Sequence, residues 1–232
     1  MIMYYDNKIS VSVMCSDLLN LEKDIRTLEK HGADMLHIDV MDAHFVPNLT
    51  FGPDFIKAMQ RKTSLPLDSH FMVEDPELMF GKFTLRPGDI FTAHVELKDQ
   101  YGNLRSYKEL SEKVRDNGAL FGLAVNPETP IESLERNLAY IDTVTLMLVH
   151  PGFAGATMVD GIMEKVGKAR KWLDSKDFER IEISVDGSVS AERAHYMAES
   201  GASIFVGGTA GIYRKGMDLK ETIPAFRKAI TL

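Results

Sequence analysis

Cysteine, basic charge and long apolar runs are all scarce in this chain of 232 residues. Its single cysteine, Cys15, excludes an intrachain disulfide framework and is typical of a reducing compartment. The formal net charge of −7 argues against nucleic-acid binding, because phosphate backbones require clustered lysine and arginine. No apolar run approaches the roughly 18 residues of a membrane span, and the opening MIMYYDNK lacks a secretory signal pattern. We therefore expect a cytoplasmic protein that binds neither nucleic acid nor membrane.

Short apolar segments alternate with longer amphipathic segments along almost the whole chain. The apolar segments predict eight strands, at residues 9–14, 35–40, 67–72, 90–95, 120–125, 143–149, 181–185 and 203–206. The amphipathic segments predict helices, among them residues 18–30, 104–116, 158–173 and 191–199. Alternating strands and helices favour parallel pairing, and eight strands are the number that closes a (β/α)8 barrel. No linker or shift in composition marks a second domain. We therefore predict the α/β class, with one (β/α)8 TIM barrel domain over residues 1–232.

Four polar side chains stand at or near the carboxyl ends of predicted strands. His37 and Asp39 are two residues apart and therefore share a strand face, while His70 lies near the end of the third strand and Asp186 follows the seventh. In a closed barrel these side chains meet at one mouth, where they would suit a divalent cation such as Zn²⁺, Fe²⁺, Mn²⁺ or Co²⁺. The alternative is that the histidines are hydrogen-bonded core residues and the aspartates cap turns.

Glycine-rich segments follow the last three predicted strands and indicate a phosphate site. They are the segments at residues 150–156 (HPGFAGA), 186–188 (DGS) and 206–210 (VGGTA). Glycines let backbone N–H groups approach anionic oxygens, and the late loops of such barrels are a recurrent phosphate site. Methionines near the strand ends either pack or shield the mouth from water. For His94 and Glu96, at the end of the fourth strand, we expect ordinary hydrogen bonding, and a role in supporting the site is the alternative.

Several blocks of this sequence resemble the ribulose-phosphate 3-epimerase family. The resemblance runs from Ile9 to Tyr213 and rests on residues 37–48 (HIDVMDAHFVPN), 51–53 (FGP), 67–73 (LDSHFMV), 126–130 (NPETP), 147–155 (MLVHPGFAG) and 185–187 (VDG). It implies that His37, Asp39, His70 and Asp186 are metal ligands, and that Asp39 and Asp186 are the catalytic acid/base pair. It also implies substrate contacts and phosphate contacts. The substrate contacts are Ser12, His70, Met41, Met72 and Met147, and the phosphate contacts are Gly152, Phe153, Ala154, Gly155, Gly187, Ser188, Gly208 and Thr209.

The reaction that this resemblance implies is inversion at C3 of a phosphorylated ketose through a cis-enediolate. One aspartate removes the proton and the other returns it from the opposite face, one divalent metal ion acts as a Lewis acid, and no redox cofactor is needed. Ser188, with GFAG and NPETP, favours the branch that interconverts D-allulose 6-phosphate and D-fructose 6-phosphate. The alternative is the pair D-ribulose 5-phosphate and D-xylulose 5-phosphate.

Three departures from the family pattern bear on these expectations. Ala43 stands where the family usually has glycine, so we expect the loop there to avoid positive φ. Ala156 replaces a polar residue, and Ser188 replaces a glycine. Because of Ala43 and Ala156, a non-catalytic barrel that binds sugar phosphates is an alternative of another class. A decarboxylase is less consistent with the four metal-site residues. The helical outer faces also leave a homo-oligomer open.

Overall fold

Eight parallel strands form the centre of the computed structural model, which describes residues 6–232. The strands are β1 (Lys8–Ser12), β2 (Met35–Met41), β3 (Leu67–Met72), β4 (Ile90–His94), β5 (Leu120–Val125), β6 (Thr143–Met147), β7 (Glu182–Asp186) and β8 (Ile204–Gly207). Each strand pairs with the next, and β8 pairs with β1, so the sheet closes. The predicted (β/α)8 barrel is therefore confirmed, and residues 1–5 of the predicted domain lie outside the described residues.

Helices follow the strands and surround the barrel. They are α1 (Leu21–His31), α2 (Pro53–Gln60), α3 (Pro76–Phe80), α4 (Lys108–Arg115), α5 (Glu164–Ser175), α6 (Ala191–Glu199) and α7 (Leu219–Ile230), with 3₁₀ segments at Val13–Cys15 and Ile131–Tyr140. Local chemistry sets several of their ends. The side chains of Asp75, Ser190 and Asp218 accept hydrogen bonds from backbone N–H groups in the first turns of α3, α6 and α7. None of the described helices combines the length and hydrophobicity that crossing a bilayer requires.

The alternation of side chains along each strand gives the barrel an apolar outer face, against the helices, and an inner face that carries both polar and apolar residues. Outward side chains such as Phe71, Phe91 and Phe121 pack in the large core between strands and helices. At the amino-terminal end of the strands, Met35 and Ile90 belong to a small apolar cluster with Ile204. Polar side chains occupy the carboxyl end, which is where a barrel of this kind carries its chemistry.

Candidate active site

The four side chains predicted as metal ligands meet at the carboxyl end of the barrel. His37 Nε2 lies 3.3 Å from Asp39 Oδ1, and His70 Nδ1 lies 3.5 Å from the same oxygen. Both nitrogens are 3.7 Å from Asp186 Oδ2. One donor atom from each of the four residues lies within 4.8 Å of all the others. The strands β2, β3 and β7 thus bring together residues that are far apart in the chain.

The unpaired nitrogens of the two histidines indicate that this cluster fits a cation. His37 Nε2 and His70 Nδ1 are both buried and have no hydrogen-bond partner, which is costly unless a ligand occupies the space between them. Ligands held tetrahedrally about 2.1 Å from a cation stand about 3.4 Å apart, close to the separations found here. Nitrogen and carboxylate donors together suit a borderline divalent metal and do not select one among zinc, iron, manganese and cobalt.

Burial and neighbouring charges shift the pKa values of the two aspartates in opposite directions. Burial alone would raise the pKa of Asp39, but the adjacent His37 and His70 hold that pKa well below its usual range. Burial raises the pKa of Asp186, and the negative charge of Asp39 adds to the rise. The two carboxyl groups of the cluster thus have pKa values shifted in opposite directions. Such a pair can take up a proton at one position and release it at another.

Asp68 is a site residue that the sequence analysis did not include. His37 Nδ1–H donates to Asp68 Oδ2 at 2.8 Å, and Ser10 Oγ donates to the same oxygen at 2.8 Å. Although burial disfavours the charged imidazolium, the carboxylates of Asp68 and Asp39 raise the pKa of His37 well above its usual value. A signal was present in the sequence, because Asp68 is two residues before His70 and shares its strand face. The register that places His37 beside Asp68 is a property of the folded sheet.

His94 and Glu96 also have a position that the sequence analysis did not favour. His94 Nε2 lies 2.8 Å from His70 Nε2, on the side of that ring that faces away from the metal cluster. His94 Nδ1 lies 3.0 Å from Glu96 Oε2. Burial lowers the pKa of His94 to about 4, so its imidazole is neutral near pH 7. His94 thus contacts a residue of the cluster, which favours the alternative of a supporting role over the ordinary hydrogen bonding that we expected.

Four of the five residues expected to contact substrate line one cavity, and the fifth, His70, belongs to the four-residue cluster. Ser12 Oγ lies 3.5 Å from Asp39 Oδ2. Met41, Met72 and Met147 are almost fully buried and also line the cavity. Their burial and their position are compatible with both roles considered for them, core packing and exclusion of water from the mouth.

The residues expected to bind phosphate line the other side of the same cavity. They are Gly152, Phe153, Ala154, Gly155, Gly187, Ser188, Gly208 and Thr209. Gly187 has a φ of 113°, and a Cβ there would stand 2.6 Å from the side chain of Val149, so the loop after β7 requires glycine. Ser188 has a φ of 53°, and Arg193 Nη1 donates to its carbonyl oxygen at 2.8 Å and to its hydroxyl at 3.0 Å.

Ala43 adopts the backbone conformation that we expected it to avoid. Its φ is 62°, in the left-handed region. The surrounding turn imposes this geometry, because Ala43 N donates to Asn48 O at 2.9 Å and Asp42 Oδ1 accepts from two backbone N–H groups of the same loop. Asn48 Nδ2 then donates to Gly152 O at 2.7 Å, which joins the loop after β2 to the loop after β6. The loop thus keeps this turn with alanine in place of glycine.

Comparison with known proteins gives one consistent family. The profile of the Ribulose-phosphate 3 epimerase family matches residues 8–212. Ribulose-phosphate 3-epimerase of Bacillus subtilis (strain 168) is 34% identical over 220 residues, covering 95% of this chain and 98% of that protein. Ribulose-phosphate 3-epimerase of Chlamydia pneumoniae is 38% identical over 201 residues, covering 85% of this chain and 84% of that protein.

Similar solved structures extend to other proteins with a barrel fold. A tryptophan synthase structure from Mycobacterium tuberculosis matches with a TM-score of 0.65 and 14% identity, over 98% of this chain and 93% of that chain. Orotidine 5'-phosphate decarboxylase from Pyrococcus horikoshii OT3 matches with a TM-score of 0.63 and 15% identity, over 96% and 98% of the two chains. At these identities the likeness concerns the fold alone.

Proposed function

Because the chain belongs to the ribulose-phosphate 3-epimerase family and is thus a carbohydrate epimerase, we propose that it interconverts D-ribulose 5-phosphate and D-xylulose 5-phosphate. The names of its relatives favour this five-carbon pair. The sequence analysis favoured the six-carbon pair, D-allulose 6-phosphate and D-fructose 6-phosphate, and that preference has no support among these relatives.

The observation that carries the proposal is the pair of carboxylates, Asp39 on β2 and Asp186 on β7, that face the same buried pair of histidines. In the direction that begins at ribulose 5-phosphate, we assign Asp39 as the base that removes the C3 proton. We assign Asp186 as the acid that returns a proton to the opposite face, and the opposite directions of the two pKa shifts are compatible with this assignment. In the reverse direction the two residues exchange roles.

A bound cation, the late loops and the methionines would together bind and orient the substrate. His37, Asp39, His70 and Asp186 would hold a divalent cation, which as a Lewis acid stabilises negative charge that develops on the oxygens next to the reacting carbon. The glycine-rich loops after β6, β7 and β8 would hold the phosphate group through backbone N–H groups. The methionine side chains at the mouth would shield the cis-enediolate from bulk water.

The six-carbon substrate remains the second candidate because of two side chains at the cavity wall. Ala156 is smaller than the polar residue usual in the family, and Ser188 adds a hydroxyl that Arg193 holds in place. Both changes alter the part of the wall near the phosphate loops, where a longer substrate would need different spacing.

Steady-state kinetics on the two ketose phosphates tests the proposal. We expect kcat/KM for D-ribulose 5-phosphate to exceed that for D-allulose 6-phosphate when the same metal-loaded sample is used. The Asp39→Asn variant is the control for contaminating epimerase, because it lacks the base. A preference for allulose 6-phosphate would transfer the assignment to the six-carbon pair.

A further inference from the structure

A buried chain of hydrogen bonds leads from His70 away from the metal cluster. His70 Nε2 and His94 Nε2 lie 2.8 Å apart, and His94 Nδ1 lies 3.0 Å from Glu96 Oε2. Both imidazoles are fully buried, and the Glu96 side chain is 21% exposed. Glu96 Oε1 accepts a hydrogen bond from Asn126 N at 2.7 Å. This series of hydrogen bonds therefore begins beside the metal cluster and ends at the loop after β5.

The hydrogen bonds from His70 through His94 to Glu96 are compatible with only one tautomer of each imidazole ring. A metal ligand must offer a bare nitrogen, so His70 must carry its proton on Nε2 if Nδ1 faces the cation. That proton requires an acceptor, so His94 Nε2 must be bare and His94 Nδ1 must carry the second proton. The carboxylate of Glu96 is an acceptor only and matches this requirement. We infer that His94 and Glu96 are positioning residues that hold His70 in its metal-binding tautomer and orientation, an inference that rests on the metal site of the proposed function.

Packing around His94 fixes the direction in which its nitrogens point. Its ring meets the His70 ring edge to edge, with centroids 5.0 Å apart, and contacts Phe45 at 4.5 Å between centroids. Tyr107 Oη donates to the carbonyl oxygen of His94 at 2.7 Å and restrains the backbone. Because the ring has little freedom to rotate, the carboxylate of Glu96 selects which nitrogen carries the proton.

The loop after β5 is itself held firmly, which gives the chain a fixed end. Lys165 Nζ donates to the carbonyl oxygens of Asn126, Pro127 and Thr129 at 2.7, 3.0 and 2.7 Å. The backbone N–H of Asn126 is therefore a fixed donor for Glu96. The backbone of Asn126 thus supports the metal ligand His70 from a distance, through Glu96 and His94.

Glu96→Gln is the most informative substitution, because it keeps the shape and removes one acceptor. A glutamine offers one oxygen to two donors, His94 Nδ1–H and Asn126 N–H. If its NH₂ group turns to His94, the proton on that ring moves to Nε2, and His70 is driven to the tautomer that cannot bind metal through Nδ1. We expect metal affinity to fall by about 10- to 100-fold, the usual effect of losing an outer hydrogen-bond partner of a metal ligand.

The test uses Co²⁺ with the full-length protein. The dissociation constant is measured by competition with a chelator, and the visible absorption of bound Co²⁺ reports the ligand geometry. His94→Phe, which keeps the aromatic packing but has no ring nitrogen, should weaken Co²⁺ binding to a similar extent. Glu128→Gln is the matched control, because Glu128 is an exposed carboxylate of the same loop whose partner at 2.7 Å is His150 rather than His94.

Two outcomes separate this inference from the proposed function. Unchanged Co²⁺ affinity and absorption in Glu96→Gln, in a protein whose unmodified form epimerises ribulose 5-phosphate, would overturn the positioning role alone. Weakened Co²⁺ binding in Glu96→Gln, but not in Glu128→Gln, supports the positioning role even if the unmodified protein turns over neither ketose phosphate. The absence of turnover with both ketose phosphates would overturn only the proposed function.

Discussion

Replacing Asp68 by asparagine tests whether the second imidazole of the cluster, His37, is held by a charged partner. Asp68 is 3% exposed, and its Oδ2 accepts from His37 Nδ1–H and from Ser10 Oγ, each at 2.8 Å. Asparagine has nearly the same shape but carries no charge and only one acceptor oxygen. The substitution therefore weakens the hydrogen bond that orients His37 without opening a cavity.

The expected magnitude follows from the strength of these hydrogen bonds. A hydrogen bond to a charged group contributes about 1.5–3 kcal/mol, and one between neutral groups about 0.5–1.5 kcal/mol. A loss of about 1–1.5 kcal/mol at His37 corresponds to roughly tenfold weaker metal binding. The metal-free protein should also lose folding stability, because removing one partner of a buried pair leaves His37 without its compensating charge.

Chelator competition across a range of pH measures this effect. Asp68 contributes to the raised pKa of His37, so the comparison is made on the high-pH plateau, where no proton competes with the metal. Asp89→Asn is the control, since Asp89 is 1% exposed and accepts from Leu67 N at 2.8 Å at the opposite end of the barrel. It should cost stability but leave metal affinity unchanged. Plateau affinities that agree within about twofold for Asp68→Asn and the unmodified protein would refute this account.

Three further predictions concern catalysis, backbone strain and pH. With metal confirmed bound, Asp186→Asn should lower kcat by about 10²- to 10⁴-fold while circular dichroism shows an intact fold, because an amide cannot transfer the proton; near-normal rates would contradict the two-aspartate mechanism. Ala43→Gly should raise the free energy of unfolding, measured in denaturant, by about 0.5–1 kcal/mol. The reason is that the strain energy relieved at φ 62° is larger than the free-energy cost of the extra freedom that glycine gives the unfolded chain. A loss of stability would show that the turn carries no such strain. Metal affinity should fall as the pH decreases through the raised pKa of His37, because a proton then occupies the ligand nitrogen; affinity that is constant or rises towards low pH in chelator titrations would contradict the assigned ligand.

The apolar periodicity predicted the strands well where an apolar run ends in a polar loop. The predicted bounds of β3 and β5 agree with the structure, as do those of α6. The predicted sixth strand, at residues 143–149, is two residues too long, because Leu148 and Val149 are buried in the loop after β6. Helix α5 begins at Glu164 rather than at residue 158, since the apolar side chains before it pack on the core from turns. An apolar sequence indicates burial rather than secondary structure. A buried apolar loop therefore looks, in sequence, like an extension of the strand or helix next to it.

The candidate site was predictable where a residue type is unusual for its position, and much less so where the role depends on register. Two histidines and two aspartates at strand ends indicated the cluster directly. Asp68 looked like one more residue of a strand until the pairing of β2 with β3 placed it beside His37. The contact of His94 with His70 likewise depends on how far β4 is shifted relative to β3.

Exchange of the C3 hydrogen with solvent tests the central claim most directly. D-ribulose 5-phosphate is incubated with the Zn²⁺-loaded protein in deuterated buffer, and the products are followed by NMR, with D-allulose 6-phosphate in a parallel sample. The account predicts D-xylulose 5-phosphate carrying deuterium at C3, because a proton taken by one aspartate is replaced from the other. Metal-loaded protein that yields neither epimer nor C3 deuterium with either substrate would contradict it.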